Sequence, residues 1–104
     1  MRLEHYPLKK LKKEILDIVS RHLDLSRYRV FFFGSRVTGT GTDRSDVDVG
    51  IEGPEPIAFG ALLAIREDIE RIRTLYKIDI VDFRGASDDF RAVALQHIEI
   101  INMP

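Results

Sequence analysis

The sequence contains no cysteine, which excludes disulfide bridges, thiolate metal sites and cysteine nucleophiles together. It also lacks any apolar run approaching the ~20 residues that span a bilayer. The first residues, MRLEHYPLKKLKK, contain no apolar segment followed by a small-residue cleavage site, so we expect no signal peptide. These absences predict a protein without a membrane segment, and the lack of cysteine is compatible with the cytoplasm.

The composition is typical of one folded domain. The chain has 104 residues, of which 44% are hydrophobic and 32% are charged, a balance that argues against disorder. A chain of this length is long enough to bury a modest core. We therefore expect a single domain over residues 1–104.

Charge is distributed unevenly along the chain. The first 30 residues hold eight Lys and Arg against four Asp and Glu, whereas the remainder holds eight against thirteen. A basic amino-terminal segment could contact nucleic acid or an acidic partner. The simpler interpretation is that its four closely spaced lysines form the solvated face of a helix.

Hydrophobic spacing and turn residues predict six elements in the order helix, strand, strand, helix, strand, helix. We expect helices over about residues 7–24, 58–76 and 88–101, and strands at RVFFFGS, SDVDVGI and KIDIVDF. The connection between the second and third strands is long enough for a crossover helix. These elements predict an α/β (α+β) fold, a small mixed β-sheet with helices packed mainly on one face.

Two aspartates lie one residue apart in the second predicted strand. Because side chains alternate along a strand, Asp46 and Asp48 should project to one face, and Val47 and Val49 to the other. Adjacent carboxylates repel each other, so a cation or solvent must offset their charge. Oxygen ligands on a rigid element suit Mg²⁺, although two solvated acids on an edge strand would give the same pattern.

A two-metal site needs a further carboxylate, and the third predicted strand offers two. Asp79 lies between Ile78 and Ile80, where an unpaired charge is costly, so we favour it as the ligand. Asp82 lies nearer the strand end and can be solvated. The choice between Asp79 and Asp82 stays open at this point.

A Gly-Ser pair ends the first predicted strand. Gly34 permits a ligand to approach the backbone closely, and Ser35 contributes a hydroxyl and an N–H group. A short helix beginning near Arg36 would aim free N–H groups at the same place. Arg36 and Arg44 flank the following loop and could contact phosphate, although ordinary loop solvation explains each of them alone.

The stretch GSRVTGTGTDRSDVDVGI resembles the nucleotidyltransferase superfamily typified by DNA polymerase beta. The pattern of its minimal members begins with an apolar strand, Gly-Ser and a ten-residue gap. Two aspartates, each followed by an apolar residue, come next, and a third acid lies on a later strand. The resemblance implies the polymerase beta-like fold and Mg²⁺-dependent transfer of a nucleoside monophosphate, AMP from ATP being the expected case. It also implies that Gly34 and Ser35 hold the β- and γ-phosphates. Asp46, Asp48 and Asp79 would bind two metal ions, and Asp79 would help activate the acceptor hydroxyl.

The acceptor is not evident, because the chain has no second lobe that would recognise one. Small members of the superfamily resemble partners of a helical HEPN-type protein, arranged as toxin and antitoxin. We therefore expect a HEPN-type partner or a second copy of the chain to present the acceptor. A binding or antitoxin module with weak or no catalysis is the alternative, and the apolar stretch LQHIEIINMP is compatible with an interface or with packing on the sheet.

The motif DVDVG also resembles the first motif of haloacid-dehalogenase-type phosphatases. In such an enzyme the first aspartate is a nucleophile. The chain is short for that fold, and the Gly-Ser pair would have no function in it. We therefore favour the nucleotidyltransferase interpretation.

Overall fold

The computed structural model describes all 104 residues, which form four helices and four strands. The elements, in chain order, are α1 (Leu8–Ser20), β1 (Arg29–Phe33), α2 (Ser35–Thr38), β2 (Val47–Glu52), α3 (Phe59–Glu70), β3 (Ile78–Asp82), α4 (Asp88–Ala94) and β4 (Glu99–Asn102). No helix combines the length and the apolar character needed to cross a membrane.

The four strands form one mixed sheet in the order β3-β2-β1-β4. β1 pairs antiparallel with both β2 and β4. β2 and β3 run parallel, and α3 makes the crossover between them. The predicted small mixed sheet is therefore confirmed.

One face of the sheet carries the main core, and we call it the covered face. Inward-pointing residues from the three longer strands pack against the apolar sides of α1 and α3. Val47, Val49 and Ile51 are fully buried there, as are Leu11 and Ile15 on α1. The predicted amphipathic helices account for this layer because their apolar residues recur at the helical period.

The opposite face, which we call the open face, carries a smaller aromatic cluster. Phe31, Phe33 and Phe83 pack there against residues of α4 and the turn that follows it. A Cβ atom on Gly50 would lie 2.4 Å from the Phe31 ring, so only glycine allows that ring to lie flat on β2. Helices thus pack mainly on one face, as predicted, with α4 as the exception at one end of the other.

The prediction of a last helix over residues 88–101 was wrong in its second half. α4 ends at Ala94, and β4 then pairs with β1. β-Branched residues in the sequence IEII favour a strand, and Ile98 and Ile101 contact clusters on opposite faces of the sheet. The first two predicted helices are also shorter than expected, ending at Ser20 and Glu70.

Candidate active site

The Gly-Ser turn at the end of β1 touches the acidic strand directly. Gly34 has φ 83° and ψ −164°, a conformation that is essentially restricted to glycine. A Cβ atom at this position would lie 2.2 Å from Oδ2 of Asp48. Two separate features therefore require glycine at position 34: the backbone angles and the close approach of the Asp48 carboxylate.

Ser35 begins the four-residue helix α2, and the loop after α2 folds back onto it. The N–H groups of Gly39 and Gly41 both donate to the carbonyl oxygen of Ser35, at 3.0 and 3.1 Å. As the first residue of a helix, Ser35 has an N–H group without a partner inside that helix. The turn thus places a hydroxyl and a backbone donor one residue after the glycine that meets Asp48.

Arg36 stabilises the loop after α2 through hydrogen bonds to its backbone. Its Nε donates to the carbonyl of Ser45 at 2.7 Å, and its Nη2 donates to that of Asp43 at 2.9 Å. The guanidinium also lies 4.6 Å from the centre of the Tyr76 ring. Arg36 therefore has a structural role in fixing the loop. A phosphate contact by Arg36, or by the exposed Arg44, stays a prediction.

Asp48 occupies the centre of the site on the open face. In the sheet register it is paired with Phe33 of β1 on one side and with Asp79 of β3 on the other. Asp46 lies one residue before β2, two residues from Asp48 along the strand direction. The structure therefore places the three predicted carboxylates at the same end of two parallel strands, with Asp48 beside Asp79.

Asp82 lies elsewhere and has other partners. Residues 78, 80 and 82 alternate with Asp79, so Asp82 projects to the covered side of the sheet. Its Oδ2 accepts from the N–H of Ile57 at 3.0 Å, and its Oδ1 accepts from that of Arg84 at 3.2 Å. Of the two candidates for a third carboxylate, only Asp79 stands beside Asp48.

The cluster of carboxylates is electrostatically unfavourable as it stands. Partial burial is the main cause that raises the pKa of Asp48, and the charges of Asp79 and Asp46 raise it further. The nearest cation is Lys77, whose Nζ lies 3.9 Å from Oδ2 of Asp46 and 3.9 Å from Oδ1 of Asp79. Because the Lys77 side chain is 72% exposed, its compensation is weak.

Two cavities lie next to this region. The larger, of about 720 Å³, is lined by Asp48 and Asp79 and runs along the edge strand β3 to Arg66 and Glu70 of α3. The smaller, of about 370 Å³, lies between the Gly34-Ser35 turn and α4. Phe33 and Phe90 line both cavities, so the two spaces share an aromatic wall.

The pairing of the Gly-Ser turn with three carboxylates on adjacent strands has a counterpart among known proteins. Residues 13–102 match the family described as polymerase beta, nucleotidyltransferase. The chain belongs to this family. The match covers most of the chain, and the four-stranded mixed sheet agrees with the expected polymerase beta-like fold.

Individual members of the nucleotidyltransferase family give more detail. The chain is 34% identical over 85 residues to the Haemophilus influenzae protein named Probable protein adenylyltransferase MntA, covering 80% of this chain and 75% of that protein. The crystal structure of a toxin-antitoxin with AMP-PNP has a TM-score of 0.69 at 18% identity, over 86% of this chain and 71% of the other. The structure of the tri-AMPylated HEPN toxin of Shewanella oneidensis in complex with MNT antitoxin has a TM-score of 0.67 at 14% identity. The match covers 89% of this chain and 70% of the other. The two structures show the shared fold.

The nucleotidyltransferase family implies Mg²⁺, and the donor set here fits it in chemistry. The available ligands are carboxylate oxygens on rigid strands, which hard cations prefer. A bound cation would also relieve the repulsion that raises the pKa of Asp48. In the present side-chain positions, no three acidic or histidine residues lie close enough together to hold an ion. Mutual repulsion of the carboxylates favours such a separation.

Sequence reasoning missed two residues that border the candidate site, Lys77 and Phe90. Lys77 precedes Asp79 by two residues, so strand alternation would have placed both side chains on one face. Phe90 lies in a predicted helix, and no local pattern indicates that it meets Phe33 across the open face. The first omission had a readable signal, and the second depends on the tertiary fold.

Proposed function

We propose that this chain is a Mg²⁺-dependent nucleotidyltransferase that moves AMP from ATP to a hydroxyl group of a HEPN-type partner protein. The observation that carries the proposal is the contact between the Gly34 turn and Asp48, with Asp79 as the next residue across the sheet. In the proposal, this contact joins a turn that would bind phosphate to a pair of carboxylates that would bind metal. The identity to a protein named as an adenylyltransferase supports the choice of AMP.

In this proposal two groups of residues on the open face bind different parts of the Mg·ATP complex. Gly34 and Ser35 hold the β- and γ-phosphates through backbone and hydroxyl donors. Asp46, Asp48 and Asp79 would hold two Mg²⁺ ions, which supply charge neutralisation for the phosphates and lower the pKa of the acceptor hydroxyl.

The transfer step needs few further groups. The acceptor oxygen forms a bond to the α-phosphorus, the bond from that phosphorus to the bridging oxygen breaks, and pyrophosphate leaves with the electron pair. Asp79 borders the larger cavity and accepts the proton of the hydroxyl as the new bond forms. Catalysis is mostly positioning and electrostatic stabilisation, as in other phosphoryl-transfer sites.

A partner that presents the acceptor agrees with the shape of the chain. The larger cavity opens beside Asp79, where a hydroxyl group of a second protein could enter. The similar solved structures include one that joins an AMPylated HEPN toxin to an MNT antitoxin. A HEPN-type helical protein is therefore the proposed acceptor.

A second candidate, an antitoxin module without catalysis, is favoured by apolar residues that remain exposed near the carboxyl end. Val93 is 70% exposed and Met103 is 60% exposed, and a bound partner would remove the apolar area of these side chains from water. In this second candidate function, the chain binds the HEPN-type partner but does not transfer AMP to it.

The experiment is incubation of the chain with Mg²⁺, a candidate HEPN-type protein and ATP labelled in the α-phosphate. The proposal expects label on the partner, no label from γ-labelled ATP, and loss of transfer in Asp48→Asn. A tight complex that never becomes labelled would favour the non-catalytic module. Label on a small molecule with the isolated chain would contradict a protein acceptor.

A further inference from the structure

We infer that Phe90 is the stacking surface for the nucleobase of the bound nucleotide, and that the smaller cavity between α4 and the Gly34-Ser35 turn holds the nucleoside. The inference rests on the proposed function and adds to it a residue that distinguishes a nucleotide from a bare polyphosphate. It is carried by the position of one exposed aromatic ring.

Phe90 is exposed although it has apolar neighbours. It is 40% exposed, and its ring lies 6.0 Å from that of Phe33, perpendicular to it, and 5.4 Å from that of Phe83. The two buried rings hold the Phe90 ring in place and leave part of its surface to solvent. A fixed, partly exposed aromatic ring is the kind of surface on which bases stack.

The position of Phe90 relative to the carboxylates fits a base attached to the α-phosphate. Phe33 is the register partner of Asp48 and the ring neighbour of Phe90. These three residues form a continuous wall from the proposed metal site to the smaller cavity. A nucleoside is joined to the α-phosphate through its ribose, and Phe33 joins the carboxylate region to the cavity in which the base would lie.

The smaller cavity also has the size and composition of a nucleoside site. Its volume of about 370 Å³ falls within the ~300–1,000 Å³ that is usual for small-molecule sites. Gly34 and Ser35 lie at one side, Phe90 and Val93 at another, and Gln96 and His97 contribute polar groups. An apolar wall with a few polar groups at the rim is typical of base recognition.

The larger cavity suits the acceptor better than the base. It is bordered by Asp79, whereas the smaller cavity does not reach Asp79. A base in the larger cavity would compete for space with the hydroxyl that Asp79 must reach. Placing the nucleoside against Phe90 leaves that side open for the partner.

The experiment compares Mg·ATP with magnesium tripolyphosphate, which has the phosphates but no base, by calorimetry on the isolated chain. In Phe90→Ala we expect ATP affinity to fall about tenfold and tripolyphosphate affinity to be unchanged. Phe90→Tyr should keep the affinity for ATP, and Phe90→Leu, which preserves apolar packing on Phe33, should lose most of it. Phe59→Ala is the matched control, because Phe59 is 79% exposed at the start of α3 and lines neither cavity.

Each other result contradicts the inference. Equal ATP affinity in Phe90→Ala and the unaltered chain would overturn it. An equal fall for both ligands in Phe90→Leu would also overturn it, since the effect would then be on the phosphate site. An unaltered chain that binds neither ligand would remove the proposed function itself, an outcome distinct from the first two.

Discussion

The covered and open faces of the sheet are made by alternate residues of the same strands, yet they differ in chemistry. On β2, Val47, Val49 and Ile51 are fully buried against α1 and α3. Between them, Asp48 stands on the open face beside Asp79. The period-2 geometry of a strand lets one segment serve the core and the site at the same time.

The two faces also differ in what they contribute to stability. The covered face gains free energy from the burial of apolar side chains. The open face places like charges together, and this repulsion raises the pKa of Asp48. A destabilised cluster on a well-packed support is common at functional sites, so truncating a covered-face side chain and neutralising an open-face carboxylate should have opposite effects on folding.

The largest effect should come from the covered face. Ile51→Ala removes a fully buried side chain, and we expect the free energy of unfolding to fall by about 2–5 kcal/mol. Denaturant unfolding measures this change. The control is Leu63→Ala on α3, where the side chain is 45% exposed, and the loss there should be much smaller. Equal losses in the two variants would mean that the covered face is not the main core.

A smaller effect is expected where the open face meets the Gly-Ser turn. Gly34→Ala adds a Cβ atom 2.2 Å from Oδ2 of Asp48 at φ 83°, so we expect a loss of about 1–3 kcal/mol and displacement of the carboxylate. Gly60→Ala is the matched control, because a Cβ atom there meets nothing within 4 Å in a helix, and it should stabilise the chain slightly. Thermal unfolding of both variants tests the contrast, and a neutral Gly34→Ala would contradict the close contact.

The smallest effect should be a gain of stability. Since the pKa of Asp48 is raised in the folded state above 3.8, the folded chain binds this proton more tightly than the unfolded chain does. The contribution of Asp48 to stability therefore falls as pH rises above 3.8. We expect Asp48→Asn to be about 0.5–2 kcal/mol more stable near pH 7 and to show less of this decline. Unfolding curves across the pH range measure it, and a destabilised Asn variant at neutral pH would refute the prediction.

Much of the site follows from local rules that a sequence displays. Strand alternation places Asp46 and Asp48 on one face. The apolar neighbours of Asp79 indicate that its charge is costly unless a ligand or a partner offsets it. The choice of Asp79 over Asp82 needed the parallel register of β2 and β3, which brings Asp79 beside Asp48. Strand register is set by tertiary packing, and periodicity alone does not determine it.

The error in the last predicted helix has a physical origin. Residues 99–102 form a strand because β1 offers a free edge for pairing, and that edge exists only in the folded chain. Helical periodicity alone does not reveal a pairing between residues so far apart in the sequence. The contacts of the Arg36 guanidinium with the carbonyls of Ser45 and Asp43 also come from the folded loop, and a phosphate contact by Arg36 stays a prediction.

The central claim is that the carboxylates of the open face bind a metal-nucleotide, and calorimetry of Mg·ATP binding tests it most directly. The comparison is between Asp48→Asn and Asp82→Asn, because both substitutions remove one charge from neighbouring strands of the same sheet. We predict that Asp48→Asn weakens binding by at least the roughly 10- to 100-fold seen when a group supporting a metal ligand is lost. Asp82→Asn should bind as the unaltered chain does. Unchanged affinity in Asp48→Asn, or equal losses in both variants, would contradict the account.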